Sequence, residues 1–457
     1  MTALTRRQAL AMTLAALAAP GLAAGQGLER RPLPRPAPDP RDILARAALP
    51  GRVAWALSDG MEPLSMRQGA VPLAPASTMK SITALYALDR LGPAHRFSTR
   101  VIRDGDTLIL AGGGDPVLST DDLARLAEQL ADMKTAPPAR FMVWEGALPT
   151  LAEIADEQSD HLPYNPAVSG MILNFNRVHL GWSRVGVDYQ LSVEARAAAN
   201  SPRAYSITAM PGDHADLFTY RHDEDREYWT VARSAMGRSG SRWLPVRLPA
   251  VYAGDVFQTL CRARGLVLPA PTVAQRAPQG QVLAQHDSPP LSELVRDMLR
   301  WSTNITAEVL GLQASGARDL PASAEAMRLW LGGLGQGMRL ADHSGLSEDS
   351  RISAFAMTRI LSGPGRELNL SPLLRADPLE TGAAVAAKTG TLNFVSNLAG
   401  YVRGPSGGEA AFAIFCADPA RRATSIGQEM PDGVATWTQA AKGLQADLLT
   451  AFAARLA

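Results

Sequence analysis

The pattern of the sequence changes twice along the chain, and these two changes constrain the fold more than any other feature. The outer parts, residues 42–95 and 285–457, carry apolar stretches typical of strands and amphipathic helices. Between them, residues 96–284 hold short strand-like segments separated by turns, with a polar, irregular stretch at about 185–232. We therefore predict an α/β unit built from both ends of the chain, interrupted by an inserted domain or domains at 96–284, with a nested subdomain at about 185–232.

Secondary structure is most clearly patterned in the outer parts. Residues 51–58 are typical of a strand, and residues 64–68 suit its hairpin partner. Two apolar runs that flank a Gly- and Pro-containing turn predict a second hairpin, at Asn397–Val402 and Ala410–Ala417. Apolar stripes at helical spacing predict helices over Ser77–Leu91, Leu291–Gln313 and Val434–Leu456.

The amino terminus has the composition of an export signal. Arg6 and Arg7 precede a short apolar run, Ala9–Ala19, and small residues follow near Ala24. We predict a signal peptide at 1–24 and a Pro-rich linker at 25–41, and hence an exported, periplasmic protein. The paired arginines suit a twin-arginine signal as well as an ordinary secretory one. Because no other stretch reaches 18 uninterrupted apolar residues, we expect no membrane span in the mature chain.

Composition excludes several classes of protein. The 457 residues include 45 Lys and Arg against 44 Asp and Glu, so the basic surplus of a nucleic-acid-binding protein is missing. Cys261 and Cys416 are the only cysteines and cannot build a disulfide framework or a four-thiolate zinc site. The seven histidines include no close pair at ligand spacing. We therefore expect no metal, no cofactor and two free thiols.

A serine and a lysine one helical turn apart form the first chemical motif. Ser77-Thr78-Met79-Lys80 stands at the start of a predicted helix, where residues i and i+3 share a face. A serine hydroxyl needs a base to act as a nucleophile, and a neutral lysine can serve. Working near pH 7 requires the lysine pKa to fall by roughly three units from about 10.4, which burial or a nearby cation can produce. Alone, the motif is weak evidence, because a helix start with a capping serine and a surface lysine is common.

Two further motifs gain meaning only beside the first. Ser302-Thr303-Asn304 offers a hydroxyl that can relay a proton and an amide that can hold a substrate, although such triplets also cap helices. In Lys388-Thr389-Gly390-Thr391, the lysine can bind a carboxylate and lower the pKa of Lys80 by repulsion. Gly390 would let a substrate approach the strand backbone. The three motifs together, in this order, match the S-x-x-K, S-x-N and K-T-G set of the serine penicillin-interacting enzymes.

On these motifs the sequence resembles the low-molecular-mass class C penicillin-binding proteins, the D-alanyl-D-alanine carboxypeptidase/endopeptidase family. The resemblance covers nearly all of the expected mature chain. The interval between Ser77 and Ser302 favours this family over class A β-lactamases, which have no insertion of that size there. His343 replaces a usual glycine and Glu348 stands where a basic residue is common. The segments that carry the resemblance are 73–80, 112–116, 164–169, 173–176, 342–347 and 388–392.

The resemblance implies a transpeptidase/β-lactamase-like α/β domain, a sheet flanked by helices, with a large inserted domain. It implies that Ser77 is acylated and that Lys80 is its general base. Ser302 and Asn304 would assist proton transfer and substrate placement. The terminal carboxylate would bind to Lys388 and Thr389, beside Gly390, and backbone N–H groups of Ser77 and Thr391 would form the oxyanion hole.

The sequence thus predicts an exported serine D-Ala-D-Ala carboxypeptidase/endopeptidase that acts through an acyl-enzyme on Ser77. Its partners would be peptidoglycan stem peptides, with β-lactams as covalent inhibitors. Two alternatives remain open at this point. A β-lactamase would share the acylation steps but deacylate quickly, and a non-catalytic peptidoglycan-binding protein would keep the motifs without turnover.

Overall fold

The computed structural model describes residues 38–60 and 62–456. The predicted signal peptide, 1–24, lies outside these residues, as does 25–37 of the predicted linker. The last residues of that linker, Pro40 and Arg41, form the first turn of a helix that Asp39 caps with its side chain.

Most of the strands lie in the middle segment. The strands are β1 Arg52–Ser58, β2 Pro63–Arg67, β3 Pro72–Leu73, β4 Ser98–Asp104, β5 Thr107–Ala111, β6 Arg140–Trp144, β7 Arg177–Val185, β8 Asp188–Glu194, β9 Ile207–Gly212, β10 Phe218–His222, β11 Glu227–Ala232, β12 Ser239–Pro245, β13 Pro271–Val273, β14 Gln281–Asp287, β15 Ile352–Ser353, β16 Arg375–Ala376, β17 Ala384–Leu392, β18 Val395–Arg403 and β19 Glu409–Ala417. The longest interval between strands separates β14 from β15.

The helices concentrate in the outer parts. They are α1 Pro40–Ala47, α2 Lys80–Leu91, α3 Thr120–Asp132, α4 Arg233–Met236, α5 Pro249–Ala263, α6 Leu291–Trp301, α7 Asn304–Ser315, α8 Leu320–Trp330, α9 Ala354–Ser362, α10 Pro364–Glu367, α11 Pro419–Ala423 and α12 Val434–Arg455. None of these helices combines the length and the apolar character needed to cross a bilayer.

A six-stranded antiparallel sheet joins the two ends of the chain. Its order is β16-β17-β18-β19-β1-β2, so both predicted hairpins are confirmed. Successive residues of β1 point to opposite faces. Trp55 and Leu57 pack with α1 and α12, whereas Ala54 and Ala56 pack on the side of α2 and α9. Both faces are therefore buried, which explains the continuous apolar run of this strand.

The middle segment builds its own sheets around a separate apolar core. A five-stranded sheet, β13-β6-β5-β4-β14, packs against α3 and α5. Two three-stranded sheets have the orders β12-β7-β8 and β10-β11-β9. Strands β9, β10 and β11 lie within the stretch 185–232, where the sequence predicted a nested subdomain. Strand β8 lies in the same stretch but pairs with β7.

Two predicted helices differ from the structure at functionally important positions. Ser77 lies in a 3₁₀ turn, Ala76–Met79, and the α-helix begins only at Lys80. The single helical region predicted over Leu291–Gln313 is two helices, because Ser302 ends α6 in the left-handed conformation with φ 60°. The prediction of free cysteines is confirmed, since Cys261 and Cys416 are both buried and unbridged.

Candidate active site

Ser77 stands on a tightly held turn at the amino-terminal end of α2. Asn397 on β18 donates its side-chain amide to the carbonyl oxygens of Ala74 and Pro75, at 2.8 and 3.0 Å. The hydroxyl of Thr78 donates to the same Pro75 oxygen at 2.7 Å. These bonds fix the backbone on both sides of Ser77, while its own side chain stays partly accessible.

Lys80 is fully buried behind Ser77 and makes three hydrogen bonds. Its Nζ lies 3.0 Å from Ser77 Oγ, 2.7 Å from Asn304 Oδ1 and 2.9 Å from the carbonyl oxygen of Ser344. An ammonium group has three protons to donate, so these acceptors match its full capacity. The structure therefore brings together the first two predicted motifs.

Burial governs the charge state of Lys80. It lowers the pKa of this lysine to about 8, while the nearby carboxylates of Glu308 and Asp342 oppose the shift. The sequence analysis offered burial or repulsion from a nearby cation such as Lys388 as the cause of this lowering. The main cause is burial, which removes solvent from the ammonium group.

Ser302 and Asn304 occupy the break between α6 and α7. The left-handed conformation of Ser302 turns the chain sharply, so that both side chains reach the same cavity. Asn304 accepts from Lys80 and donates its amide to the carbonyl oxygen of Tyr164, 2.9 Å away. One amide thereby connects Lys80 with the middle segment of the chain.

Lys388 joins the hydrogen-bonded side chains of the site from the side opposite Lys80. Its Nζ lies 3.0 Å from Ser302 Oγ and 2.8 Å from the carbonyl oxygen of Thr389. Burial and the charge of Lys80 hold the pKa of Lys388 well below its ordinary value. The third predicted motif thus contacts the second through a direct side-chain bond.

Strand β17 passes unusually close to the turn that carries Ser77. A Cβ atom added at Gly390 would lie 2.9 Å from the Pro75 oxygen and 3.1 Å from the Ser77 nitrogen. Only glycine permits this approach. The next residue, Thr391, lies at the wall of the same cavity as Ser77.

The three motifs meet at one cavity of about 550 Å³. Ser77, Ser302, Asn304 and Thr391 line it directly. Lys80 and Lys388 are buried behind these residues and reach them through the bonds described above. Thr389 and Gly390 complete the stretch of β17 beside the cavity.

The sequence analysis did not identify Glu308, a buried carboxylate beneath the site. Glu308 accepts the backbone N–H groups of His343 and Ser344, each at 2.9 Å. These bonds hold the segment whose Ser344 carbonyl accepts from Lys80. Burial and the charge of Asp342 raise the pKa of Glu308 to about 8. The only signal in the sequence was its spacing of four residues from Asn304, which places both on one face of α7.

Both departures from the family pattern have local explanations. His343 is fully buried, and its Nε2 lies 2.7 Å from Ser323 Oγ. Burial lowers the pKa of this imidazole to about 3, so the ring is neutral at ordinary pH. Glu348 lines the cavity and forms an ion pair with Arg422, whose own guanidinium also donates to the carbonyl oxygen of Asn393. The acidic residue is thus neutralised by a basic one.

A comparison with protein families decides the identity. The model of the D-Ala-D-Ala carboxypeptidase 3 (S13) family matches residues 43–441. The chain belongs to this family. The prediction of a serine-type D-Ala-D-Ala carboxypeptidase is confirmed.

Curated relatives of this S13 family member cover most of its length. It is 28% identical over 461 residues to a D-alanyl-D-alanine carboxypeptidase of Actinomadura sp. strain R39, with 86% of this chain and 84% of the relative covered. It is 30% identical over 387 residues to the D-alanyl-D-alanine carboxypeptidase DacB of Haemophilus influenzae, covering 76% and 81%.

Solved structures confirm the predicted fold class of this S13 family member. Penicillin-binding protein 4 (dacB) from Haemophilus influenzae superposes with a TM-score of 0.71 at 20% identity, covering 90% of this chain and 99% of the other. The same protein complexed with a β-lactam gives a TM-score of 0.70 at 21% identity, with the same coverage.

Proposed function

We propose that Ser77 is the acylated nucleophile through which this chain cleaves the D-Ala–D-Ala bond of peptidoglycan stem peptides. The observation that carries the proposal is the 3.0 Å contact between Ser77 Oγ and Lys80 Nζ. A lysine whose pKa is lowered to about 8 is neutral in a useful fraction of molecules near neutral pH. It can then accept the serine proton as the oxygen attacks.

The first step is acylation. Lys80 removes the Ser77 proton while Oγ attacks the carbonyl carbon of the penultimate D-alanine, which gives a tetrahedral oxyanion. The backbone N–H groups of Ser77 and Thr391 donate to this oxyanion. The close packing of Gly390 on the Ser77 turn supports the pairing of these two donors.

Lys388 and Thr389 bind the carboxylate of the terminal D-alanine. An anion beside Lys388 raises the pKa of its ammonium group, so the bound substrate keeps this lysine charged. Ser302 lines the same cavity as Ser77 and lies within hydrogen-bonding distance of Lys388. Its hydroxyl gives its proton to the leaving nitrogen and is reprotonated with the proton that Lys80 took from Ser77. The C–N bond breaks and D-alanine departs.

Deacylation uses the same groups with water as the nucleophile. Lys80 takes a proton from the water, the ester bond to Ser77 breaks, and the proton returns to the serine oxygen. Endopeptidase cleavage of crosslinks follows the same steps with a longer leaving group. A β-lactam would acylate Ser77 through its own amide carbonyl and remain attached.

We also propose the organisation and location of the protein. Residues 42–95 and 285–457 would form the catalytic domain, and 96–284 the inserted domain or domains. The six-stranded sheet draws its strands from the first two ranges and supports this division. Residues 1–24 would direct export to the periplasm, where stem peptides are found.

The test is release of D-alanine from a stem pentapeptide. The wild-type protein and the Ser406→Ala variant should both release it, because Ser406 is an exposed serine in the turn between β18 and β19. Ser77→Ala should release none while keeping the circular-dichroism spectrum of the wild type. Turnover by Ser77→Ala would disprove the assignment of the nucleophile.

A further inference from the structure

A short segment between α11 and α12 forms one wall of the cavity. We call residues 424–430 the strap. Ser425, Ile426, Gly427, Gln428 and Met430 of the strap line the same cavity as Ser77. The strap is therefore in a position to contact whatever occupies the groove.

Hydrogen bonds attach the strap on one side to the residue that follows β17 and on the other side to the middle segment. Asn393, directly after β17, donates its side-chain amide to the Gln428 carbonyl oxygen at 2.8 Å. Across the groove, the hydroxyl of Ser159 donates to the Gly427 carbonyl oxygen at 2.7 Å. The strap thus spans from the end of β17 to residues of the predicted inserted domain.

A cluster of side chains around one ion pair completes the second attachment. Glu429 accepts from Arg242 Nη2 at 2.6 Å and lies 3.2 Å from His161 Nε2. We call these three residues the Glu429 clasp. Both basic residues rest on Phe218, the imidazole stacked at 5.1 Å and the guanidinium above the ring at 5.3 Å. The clasp therefore joins the strap to β10 and β12.

The side chains of the clasp and of the strap are partly exposed to solvent, so the contacts of the clasp can break and let the strap move. The Glu429 and Arg242 side chains are 39% and 25% exposed, and ion pairs in contact with water hold weakly. Ile426 and Met430 are 51% and 71% exposed although both border the cavity. These apolar side chains have surface available for contact with a bound peptide.

The direction of the bound stem follows from the proposed function. With the terminal carboxylate at Lys388 and Thr389 and the scissile carbonyl beside Ser77, the rest of the stem runs along β17 towards Asn393. That end of the groove is the one the strap crosses. In peptidoglycan this end of the stem continues into the glycan chain, which must pass the strap.

We propose that the Glu429 clasp determines which stems reach Ser77. With the clasp closed, the groove accepts a free stem peptide. A stem that is still attached to a glycan chain requires the clasp to open. Glu429 is a specificity-determining residue that acts through the position of the strap, and this inference rests on the proposed function.

The experiment compares two substrates with the same stem. One is pentapeptide-rich glycan, and the other is the free pentapeptide released from that glycan by an amidase. D-Alanine release gives kcat/KM for each. In Glu429→Ala the ratio of kcat/KM for glycan to kcat/KM for free peptide should rise about threefold or more. Ser159→Ala removes the neighbouring attachment and should shift the ratio in the same direction.

The matched control is Glu409→Ala, which breaks the exposed pair with Arg403 across the β18–β19 hairpin and should leave the ratio unchanged. Equal effects on both substrates, no effect, or a lower ratio in Glu429→Ala would overturn the inference. Penicillin acylation reports that each variant is folded, and if Glu429→Ala fails this check, Ser159→Ala decides. A wild-type protein that releases D-alanine from neither substrate would disprove the proposed function, and the role of the clasp with it.

Discussion

The imidazole ring of His343 fills the space that a side chain at Gly311 would need. A Cβ atom at position 311 would lie 2.2 Å from two carbons of the ring. The backbone of His343 also supports the site, since its N–H donates to Glu308 and its carbonyl accepts from Thr83. The glycine in α7 and the unusual histidine therefore depend on one another.

This dependence predicts a non-additive pair of substitutions. Gly311→Ala should reduce the free energy of unfolding by about 1–3 kcal/mol, because the ring cannot move in a packed core. In a His343→Gly background the same change should cost much less. Gly443→Ala in α12 is the control, where the new methyl group meets nothing and should stabilise by about 0.8–1 kcal/mol. Urea denaturation of the wild type, Gly311→Ala, His343→Gly and the double variant measures the coupling energy. Additive changes in the free energy of unfolding would contradict the dependence of the two residues on each other.

The pKa of Lys80 predicts the pH dependence of acylation. A general base must be neutral, so kcat/KM should rise with pH through an apparent pKa of about 8 and fall about tenfold per unit below it. Because Lys80 and Glu308 interact, this value belongs to the pair. Stopped-flow acylation by a chromogenic penicillin between pH 6 and pH 10 measures it.

Glu308→Gln should move this profile towards lower pH. The substitution removes the negative charge that Glu308 gains as it ionises near pH 8, and this charge holds the pKa of Lys80 up. The amide can no longer accept both backbone N–H groups, so the plateau rate should fall as well. Glu325→Gln, at an exposed pair on α8, is the control. A profile that stays in place or moves to higher pH would show that Glu308 does not act on Lys80.

Lys388→Met tests the proposed carboxylate site. Loss of a charge-assisted bond of about 1.5–3 kcal/mol should lower kcat/KM for a D-Ala-D-Ala peptide roughly 10- to 150-fold, chiefly through KM. Lys442→Met alters another lysine that lines the same cavity and should change kcat/KM by less than about twofold. Equal losses in the two variants would point to general electrostatics and away from a carboxylate contact at Lys388.

The residues of the three motifs could be singled out from the sequence, and the structure brings them to one cavity, because the motifs carry their own local geometry. Serine and lysine three residues apart share a helical face, and the glycine of the third motif marks a close approach of backbone. The strands of the six-stranded sheet were predictable because they are continuous apolar runs bounded by turn residues. Their pairing confirmed both expected hairpins.

Contacts between distant parts of the chain were not predictable in the same way. The bonds from Glu308 to the segment at Ser344 and from Arg242 to Glu429 depend on tertiary placement, which periodicity does not encode. The break at Ser302 was missed because the apolar stripe continues across it. The left-handed conformation of Ser302 depends on tertiary contacts, which the local sequence does not show.

The most direct test of the central claim is the intact mass of the protein after incubation with a penicillin. We predict a stable adduct of one penicillin on the wild type and on Ser406→Ala, and none on Ser77→Ala. A transient adduct with rapid hydrolysis of the drug would instead indicate a β-lactamase. An adduct on Ser77→Ala, or none on the wild type, would contradict the assignment of Ser77 as the acylated nucleophile.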